Sequence, residues 1–212
     1  LSVGMDTFKN NWFLVPNRAS PQPPALAIFP EQRIGCEVNW RPGKEPCMFK
    51  DTIEIKDVIV KSLRKHADDR GWLFELYRED ELPESVHPVM AYISQTLPGI
   101  VRGPHEHHDQ TDYFAFIGPS DFELTLWDAR SDSPTFRTKS KNVFGASNPC
   151  AITIPPGVVH AYKNIGDQPG WVFNGPNRLY AGRGKQDPVD EIRHELDESS
   201  PYRIETDTHN AA

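Results

Sequence analysis

Residues 151–164 read Ala-Ile-Thr-Ile-Pro-Pro-Gly-Val-Val-His-Ala-Tyr-Lys-Asn, and this stretch decides the fold. It predicts two strands, 151–154 and 158–163, because branched and aromatic residues favour extended structure on both sides of a Pro-Pro-Gly turn. The second strand carries His160 just after the tight turn. Short strands separated by tight turns are typical of an antiparallel sandwich or barrel.

The same pattern of short apolar runs separated by turn residues continues from residue 52 onward. Between residues 122 and 127 apolar side chains occupy alternate positions, which indicates a strand with one buried face. Further strands are predicted at residues 53–55, 58–63, 72–77, 89–96, 113–117 and 171–174. This set predicts an all-β fold, either an antiparallel sandwich or a barrel.

The two ends of the chain differ from this central domain, which we place at residues 51–185. Residues 1–50 hold seven of the 20 prolines and predict a proline-rich arm, which is packed over the domain, packed across a partner subunit or loosely ordered. Residues 186–212 form a C-terminal extension. Within it, Val189, Ile192 and Leu196 have helical spacing and predict one short helix over residues 188–197.

Composition excludes several classes of protein. The formal charge of −7 argues against a nucleic-acid binder, although an anionic small ligand could still bind where basic residues gather. We expect the acidic runs at 79–81, 190–191 and 195–198 to lie on solvated faces. No apolar run is long enough for a membrane span, and no secretory signal is recognisable. Three scattered cysteines favour a reducing compartment, so we expect a cytoplasmic protein.

Three histidines, His105, His107 and His108, fall within four positions. In an extended chain, residues two apart face the same side, so His105 and His107 converge while His108 points into solvent. Two imidazoles on one face of a strand can bind a metal ion or transfer protons.

Two segments around these histidines resemble the two motifs of the cupin superfamily. The first contains Gly99, His105, His107, Asp112 and Gly118, and the second contains Pro155, Gly157, His160 and Asn164. The resemblance implies an antiparallel double-sheet jelly roll, in agreement with the strand pattern. Many cupins hold a divalent metal at such positions. In this chain the set would be His105, His107, Asp112 and His160, with aspartate where glutamate is usual; we favour a site without metal and keep a divalent metal as the alternative.

Four segments in order resemble the dTDP-4-dehydrorhamnose 3,5-epimerases more closely. They are 69–75 (Asp-Arg-Gly-Trp-Leu-Phe-Glu), 94–105 (Ser-Gln-Thr-Leu-Pro-Gly-Ile-Val-Arg-Gly-Pro-His), 128–136 (Asp-Ala-Arg-Ser-Asp-Ser-Pro-Thr-Phe) and 154–160 (Ile-Pro-Pro-Gly-Val-Val-His). The resemblance covers roughly residues 55–185. It implies a nucleotide-linked 4-keto-6-deoxy sugar as substrate, inverted by proton removal alpha to the C4 ketone.

The resemblance also implies roles for individual residues. His105 would be the base, His160 would serve the oxyanion side or orient the base, and Asp112 could pair with the base. Arg70 and Glu75 would meet the nucleotide, either in their own subunit or from a neighbouring subunit of a homodimer. The other residues predicted to contact the substrate are Arg102, His107, Gln110, Phe173 and Tyr180.

Three positions depart from the family pattern. Asp112 stands where the family has a lysine, Phe173 stands where it has an acid tyrosine, and His107 replaces a glutamine. Four interpretations therefore stay open: a divergent epimerase, a dTDP-sugar 3,4-ketoisomerase, a metal-dependent cupin enzyme and a non-catalytic sugar-binding cupin. The segment 128–136 favours the epimerase.

Overall fold

The protein is described here by a computed structural model that covers residues 53–204. Its strands are β1 (Ile59–Ser62), β2 (Lys65–Asp68), β3 (Gly71–Phe74), β4 (Tyr92–Thr96), β5 (Val101–Glu106), β6 (Asp112–Gly118), β7 (Asp121–Asp128), β8 (Lys139–Gly145), β9 (Cys150–Ile154), β10 (Val158–Asn164), β11 (Gly170–Asn174) and β12 (Ile192–Arg193). Short 3-10 turns lie at Glu79–Glu81, Glu84–Val86, Arg183–Lys185 and His194–Leu196. No helix within residues 53–204 is long and apolar enough to cross a membrane.

The strands form two five-stranded antiparallel sheets and a separate hairpin. The first sheet has the order β1-β9-β6-β11-β4, the second has the order β12-β5-β10-β7-β8, and β2 pairs with β3. Apart from β7 and β8, neighbouring strands in each sheet are not consecutive in the chain, as in a jelly roll. The predicted all-β double-sheet architecture is confirmed.

The core lies between the sheets because alternate side chains of each strand point inward. Phe114 and Phe116 of β6 in the first sheet join Phe122 and Leu124 of β7 in the second sheet in one buried cluster. The outer faces of the central strands are also covered. Residues 74–82 pack on Tyr113 and its neighbours, and residues 202–204 pack on Trp127.

Four strands were not predicted, and one of them, β5, carries His105. Gly103 and Pro104 within β5 resemble turn residues, yet they occupy a bulge where the pairing with β10 shifts register. Conversely, residues 53–55 form no strand, although Ile53 and Ile55 are buried in the core. In both places tertiary packing overrides the local sequence preference.

The predicted helix over residues 188–197 is wrong. Ile192 and Arg193 instead pair with Glu106 and His105 of β5, so their backbone groups bond to the sheet edge. Leu196 is 76% exposed, which shows that the helical spacing does not mark a buried face. The proline-rich arm at residues 1–50 and the last residues of the extension lie outside the described residues.

Candidate functional site

Four side chains converge at one end of the sandwich. His105 and His160 are direct partners across β5 and β10, with ring centroids 4.3 Å apart. His107 follows β5, and Asp112 begins β6 in the other sheet. One potential ligand atom from each of the four residues lies within 4.8 Å of all the others. The sequence predicted this convergence, and it also predicted that His108 lies in solvent, where the structure places it.

Hydrogen bonds fix the orientation of two imidazoles around Asp112. His107 Nδ1 bonds to the backbone carbonyl of Asp190, and His160 Nδ1 lies 3.0 Å from the carbonyl of Val158. Carbonyls accept only, so both Nδ1 atoms carry the proton. Each Nε2 then lies 3.1 Å from Asp112 Oδ2. A lone pair on His107 Nε2 would oppose the carboxylate, so the geometry favours a doubly protonated His107.

The charge resides most readily on His107. Burial alone would lower its pKa, but the hydrogen bond and negative charge of Asp112 outweigh burial and raise the pKa to about 9. Burial would raise the pKa of Asp112, yet the two imidazoles hold it far below the usual range. Gln110 adds a donor, with Nε2 2.8 Å from Asp112 Oδ1. Asp112 is therefore an ionised carboxylate held by its neighbours.

His105 has the opposite character. Burial, followed by the nearby His160, lowers its pKa to about 2, so the imidazole is neutral near physiological pH. Its Nε2 lies 4.0 Å from Glu191 Oε1. A neutral imidazole beside a carboxylate can accept a proton and be stabilised once charged.

The cluster opens into a cavity of about 1040 Å³. The predicted site residues that line it are His105, His107, Asp112, Arg102, Gln110 and Tyr180. His160 lies behind them and is only 1% exposed. The wall also carries the arginines Arg178, Arg183 and Arg193 and the phenol Tyr92. Burial raises the pKa of Tyr92 to about 12, so its hydroxyl stays protonated.

Three residues predicted to bind substrate lie outside this cavity in the single chain. Arg70 is in the turn between β2 and β3, with its side chain 85% exposed and paired with Asp68. Glu75 pairs with Arg78 at 3.2 Å. Phe173 lies opposite Ala115 and packs with the outer cluster of the first sheet, because its position in β11 points away from the histidines.

Sequence reasoning missed the contribution of the C-terminal extension. Asp190 and Glu191 were expected on a solvated face, but the Glu191 side chain is only 17% exposed, and both residues line the cavity. No local signal marks them. Only the pairing of β12 with β5 brings them beside His105 and His107.

The four-residue cluster fits a divalent metal ion by its chemistry. Three imidazole nitrogens and one carboxylate oxygen are an acceptable ligand set for zinc, iron or nickel. His107 and His160 bond through Nδ1 to carbonyls, as ligating histidines commonly do. Within residues 53–204, His160 Nε2 is a buried side-chain nitrogen that makes no well-aligned hydrogen bond despite its proximity to Asp112. The residues that would hold an ion are His105, His107, Asp112 and His160.

Comparison with known sequences matches this chain to a family of sugar-nucleotide epimerases. A family model described as dTDP-4-dehydrorhamnose 3,5-epimerase matches residues 52–183, more than half of the chain. The "Probable low-salt glycan biosynthesis epimerase Agl13" of Haloferax volcanii is 39% identical over 127 residues, which are 59% of this chain and 81% of that protein. The "Spore coat polysaccharide biosynthesis protein SpsL" of Bacillus subtilis is 39% identical over 116 residues, 54% of this chain and 75% of that protein.

Solved structures agree on the fold. A dTDP sugar isomerase from Desulfovibrio desulfuricans superimposes with a TM-score of 0.58 at 24% identity, covering 68% of this chain and 87% of that one. The 3'-monoepimerase ChmJ from Streptomyces bikiniensis, in complex with dTDP-quinovose, gives a TM-score of 0.57 at 21% identity, covering 72% of this chain and 79% of that one. At these identities the likeness shows the double-sheet fold.

Proposed function

Because the chain belongs to the dTDP-4-dehydrorhamnose 3,5-epimerase family, we propose that it epimerises a nucleotide-linked 4-keto-6-deoxy sugar. One observation carries the proposal. The neutral His105 faces the cavity directly beside the ionised Asp112 and His107 pair. This juxtaposes a base with a fixed positive charge, which proton removal alpha to a ketone requires. The names of the two relatives support a role in glycan or polysaccharide biosynthesis.

In the proposed reaction His105 removes the proton from the carbon next to the C4 ketone. Nε2 is the reacting nitrogen, because Nδ1 lies against the backbone side, close to where a side chain on Gly103 would be. The carboxylate of Glu191, 4.0 Å from Nε2, stabilises the imidazolium as it forms. The proton therefore moves from sugar carbon to a base whose charged form has a nearby counter-ion.

The enolate that results needs positive or donating groups. His107 supplies an imidazolium, and Arg102 supplies a guanidinium anchored to Thr96 Oγ1 at 2.9 Å and to the carbonyl of Gln95 at 2.7 Å. The phenols Tyr92 and Tyr180 line the same cavity and are our candidates for the acid that returns a proton on the opposite face. The arginines of the wall match the charge of a nucleotide diphosphate.

The test is incubation of a dTDP-4-keto-6-deoxy sugar with the protein in deuterated water, followed by NMR. Deuterium at C3 and C5 supports 3,5-epimerisation, and deuterium at C3 alone supports a 3-epimerase. A product whose carbonyl has moved to C3 identifies a 3,4-ketoisomerase instead. Binding without any exchange identifies a non-catalytic sugar-binding protein and removes the proposal.

The matched variants are His105→Ala and His108→Ala. His105→Ala should abolish exchange, whereas His108→Ala should leave it unchanged, because His108 is exposed outside the cavity. Exchange at a near-normal rate in His105→Ala refutes the assignment of the base. Tyr92→Phe and Tyr180→Phe then identify the acid. The variant that still exchanges the sugar proton for deuterium, but no longer inverts the carbon centre, has lost the catalytic acid.

The second candidate function is a metal-dependent cupin reaction, favoured by the buried and poorly bonded His160 Nε2. A divalent ion held by the four-residue cluster would supply a Lewis acid next to the cavity. Elemental analysis and calorimetric titration of untagged protein measure metal binding, and the deuterium-exchange assay shows whether the reaction needs the metal. Stoichiometric metal, lost together with exchange on chelation, would replace the metal-free assignment.

A further inference from the structure

One residue of the C-terminal extension contacts four consecutive residues that follow β5. The Asp190 carboxylate accepts hydrogen bonds from the backbone N–H of His108 at 2.8 Å, Asp109 at 2.9 Å and Gln110 at 2.8 Å. Its own backbone carbonyl accepts the Nδ1–H of His107. Asp190 therefore holds four of the five residues, 107–111, that connect β5 to β6.

The chemistry of this contact is that of an anion in a ring of amides. Successive N–H groups that converge at a turn create a site for negative charge. Burial opposes the charge of Asp190, but the three amide hydrogen bonds outweigh it and lower the pKa of the carboxyl. Hydrogen bonds to an ionised carboxylate are stronger than neutral ones, so the turn and Asp190 stabilise each other.

The turn matters because two groups that contact Asp112 project from it. The bond from His107 Nδ1 to the Asp190 carbonyl aims Nε2 at Asp112 Oδ2, 3.1 Å away. The Gln110 backbone is bonded to Asp190, and its side chain donates to Asp112 Oδ1 at 2.8 Å. A shift of the turn would move both donors away from the carboxylate at once.

We propose that Asp190 is a positioning residue of the site, which fixes His107 and Gln110 around Asp112 from a segment 83 residues further along the chain. Asp190 lies beyond residue 183, where the family match ends, so the role belongs to this chain's own extension. Its effect on rate rests on the proposed function, whereas its effect on the geometry of His107 does not.

The test compares Asp190→Asn with Asp197→Asn in the full chain. Asparagine keeps the size but offers one acceptor oxygen, and its NH2 would face backbone N–H groups that need an acceptor. Asp197 is the matched control, because it lies in the same extension and accepts the backbone N–H of Ser199 at 2.9 Å. Asp197 does not line the cavity.

The first readout is the Nδ1–H signal of His107 in an NMR spectrum of the imidazole groups. We expect a slowly exchanging signal in the wild type and in Asp197→Asn, and loss of that signal in Asp190→Asn. Identical signals in all three proteins overturn the proposal. This readout stands even if the wild type exchanges no sugar proton, a result that removes the proposed function alone.

The second readout separates kcat from KM in the deuterium-exchange assay. For Asp190→Asn we expect kcat to fall by up to about 100-fold with KM changed little, because a misplaced group slows the reaction without removing the ligand contacts. Loss of the His107 signal with an unchanged kcat refutes a positioning role. If Asp190→Asn does not fold, hydrogen exchange of the wild type decides. Slow exchange of the amides of residues 108–110 supports the proposal, and fast exchange of all three overturns it.

Discussion

Around Asp112, two histidines of the same cluster differ in charge: His105 is neutral and His107 is positive. The pKa of His105 is lowered to about 2 by burial and by the neighbouring imidazole, while the hydrogen bond to Asp112 outweighs burial and raises that of His107 to about 9. Between about pH 2 and pH 9, His105 is neutral and can act as a base, whereas His107 is protonated and can act as an acid. Two titratable groups driven apart in this way are the usual sign of an acid and base assignment.

We therefore expect the exchange rate to be flat through neutral pH and to fall above about pH 9, as His107 loses its proton. In His107→Gln this alkaline limb should disappear, and the neutral-pH rate should drop by about 100-fold, the usual cost of losing a group that stabilises an oxyanion. The measurement is kcat/KM for deuterium incorporation between pH 6 and pH 10. An alkaline limb that persists in His107→Gln contradicts this assignment.

The free energy of unfolding should also depend on the protonation of His107. The pKa of His107 in the folded chain is above that of an unfolded histidine, about 6.5. Its stabilising contribution is therefore fully present below that value and is lost as pH rises toward about 9. Because the pKa of His105 is lowered, its effect on stability changes only below about pH 6.5. The change in stability between about pH 6.5 and pH 9 therefore reports on His107. Denaturant unfolding across this window should show the decline in the wild type, and a curve of the same slope in His107→Gln contradicts it.

Asp128 is central to the segment 128–136, but its role is structural. Its carboxylate is 1% exposed and accepts bonds from Arg130 at 2.8 and 3.0 Å, from Ser133 at 2.6 Å and from Thr135 at 2.6 Å. Burial opposes its charge, but the bonds led by Arg130 hold its pKa far below the usual range. None of these residues lines the cavity. The motif that favoured an epimerase thus indicates the fold rather than the chemistry.

Asp128→Asn should lower the free energy of unfolding by about 3–5 kcal/mol, because it removes the buried charge that pairs with Arg130 and replaces one of the two acceptor oxygens with an NH2 group. The exposed Asp132→Asn is the control and should change it by less than about 0.5 kcal/mol. Urea titration measures both. The rate of exchange per folded molecule should be unchanged in both variants, and a specific loss of rate in Asp128→Asn would mean that this segment takes part in the reaction.

At the scale of elements, the site depends on the bulge that joins β5 to β10. Gly103 lies there with φ +82°, and a Cβ at this position would approach the carbonyl oxygen of His160 to 2.6 Å. Only glycine satisfies both the backbone angle and the close approach. The bulge thus places His105 opposite His160.

Gly103→Ala should therefore destabilise the protein by about 2–4 kcal/mol, from positive-φ strain together with overpacking, and should abolish exchange by displacing His105. Gly99→Ala is the matched control, because Gly99 has φ +73° and nothing within 4 Å of a built Cβ. It should cost only the backbone strain, about 1–2 kcal/mol, and keep the exchange rate. Equal effects of the two substitutions on stability and rate would show that the close approach to His160 is unimportant.

The elements also show what sequence reasoning can reach. Short apolar runs between turn residues identified β6, β9 and β10, whose residues are buried on both faces, and alternating apolar residues identified β7. The pairing of His105, His107, Asp112 and His160 followed from spacing and resemblance. The sequence pattern did not predict β5 and β12, because a bulge at Gly103 and the two-residue strand Ile192–Arg193 have no local signature. The contributions of Asp190 and Glu191 could not be predicted for the same reason, since they depend on pairing over more than 80 residues.

At the scale of the whole molecule, the charge of −7 is a poor guide to the ligand. Arginines gather on the cavity wall, while the acidic run at 79–81 is exposed. The C-terminal extension and the β2–β3 hairpin are positioned differently with respect to that cavity. The C-terminal extension lines it, but the hairpin of β2 and β3 carries Arg70 outside it and exposes Trp72 by 56% and Leu73 by 59%.

Exposed apolar side chains at the tip of a hairpin, together with an unpaired edge strand, favour association with a second copy. We expect a homodimer in which this hairpin covers part of the partner and Arg70 reaches the partner's cavity. Replacing Trp72 and Leu73 by serine should then shift the protein toward monomer in sedimentation measurements. The same change at exposed Ile165, which lies outside the hairpin, should not.

Mixing two inactive variants tests whether the site is shared. Arg70→Ala and His105→Ala should each be inactive or strongly impaired alone. In a mixed dimer with sites shared between subunits, one site carries both changes and the other carries neither. After unfolding and refolding an equal mixture, about one quarter of all sites should therefore be intact, and the exchange rate should recover to about that fraction of wild type. If Arg70 served its own subunit's cavity, every site would retain one change and no activity would return, which would leave the hairpin without a role in its partner's site.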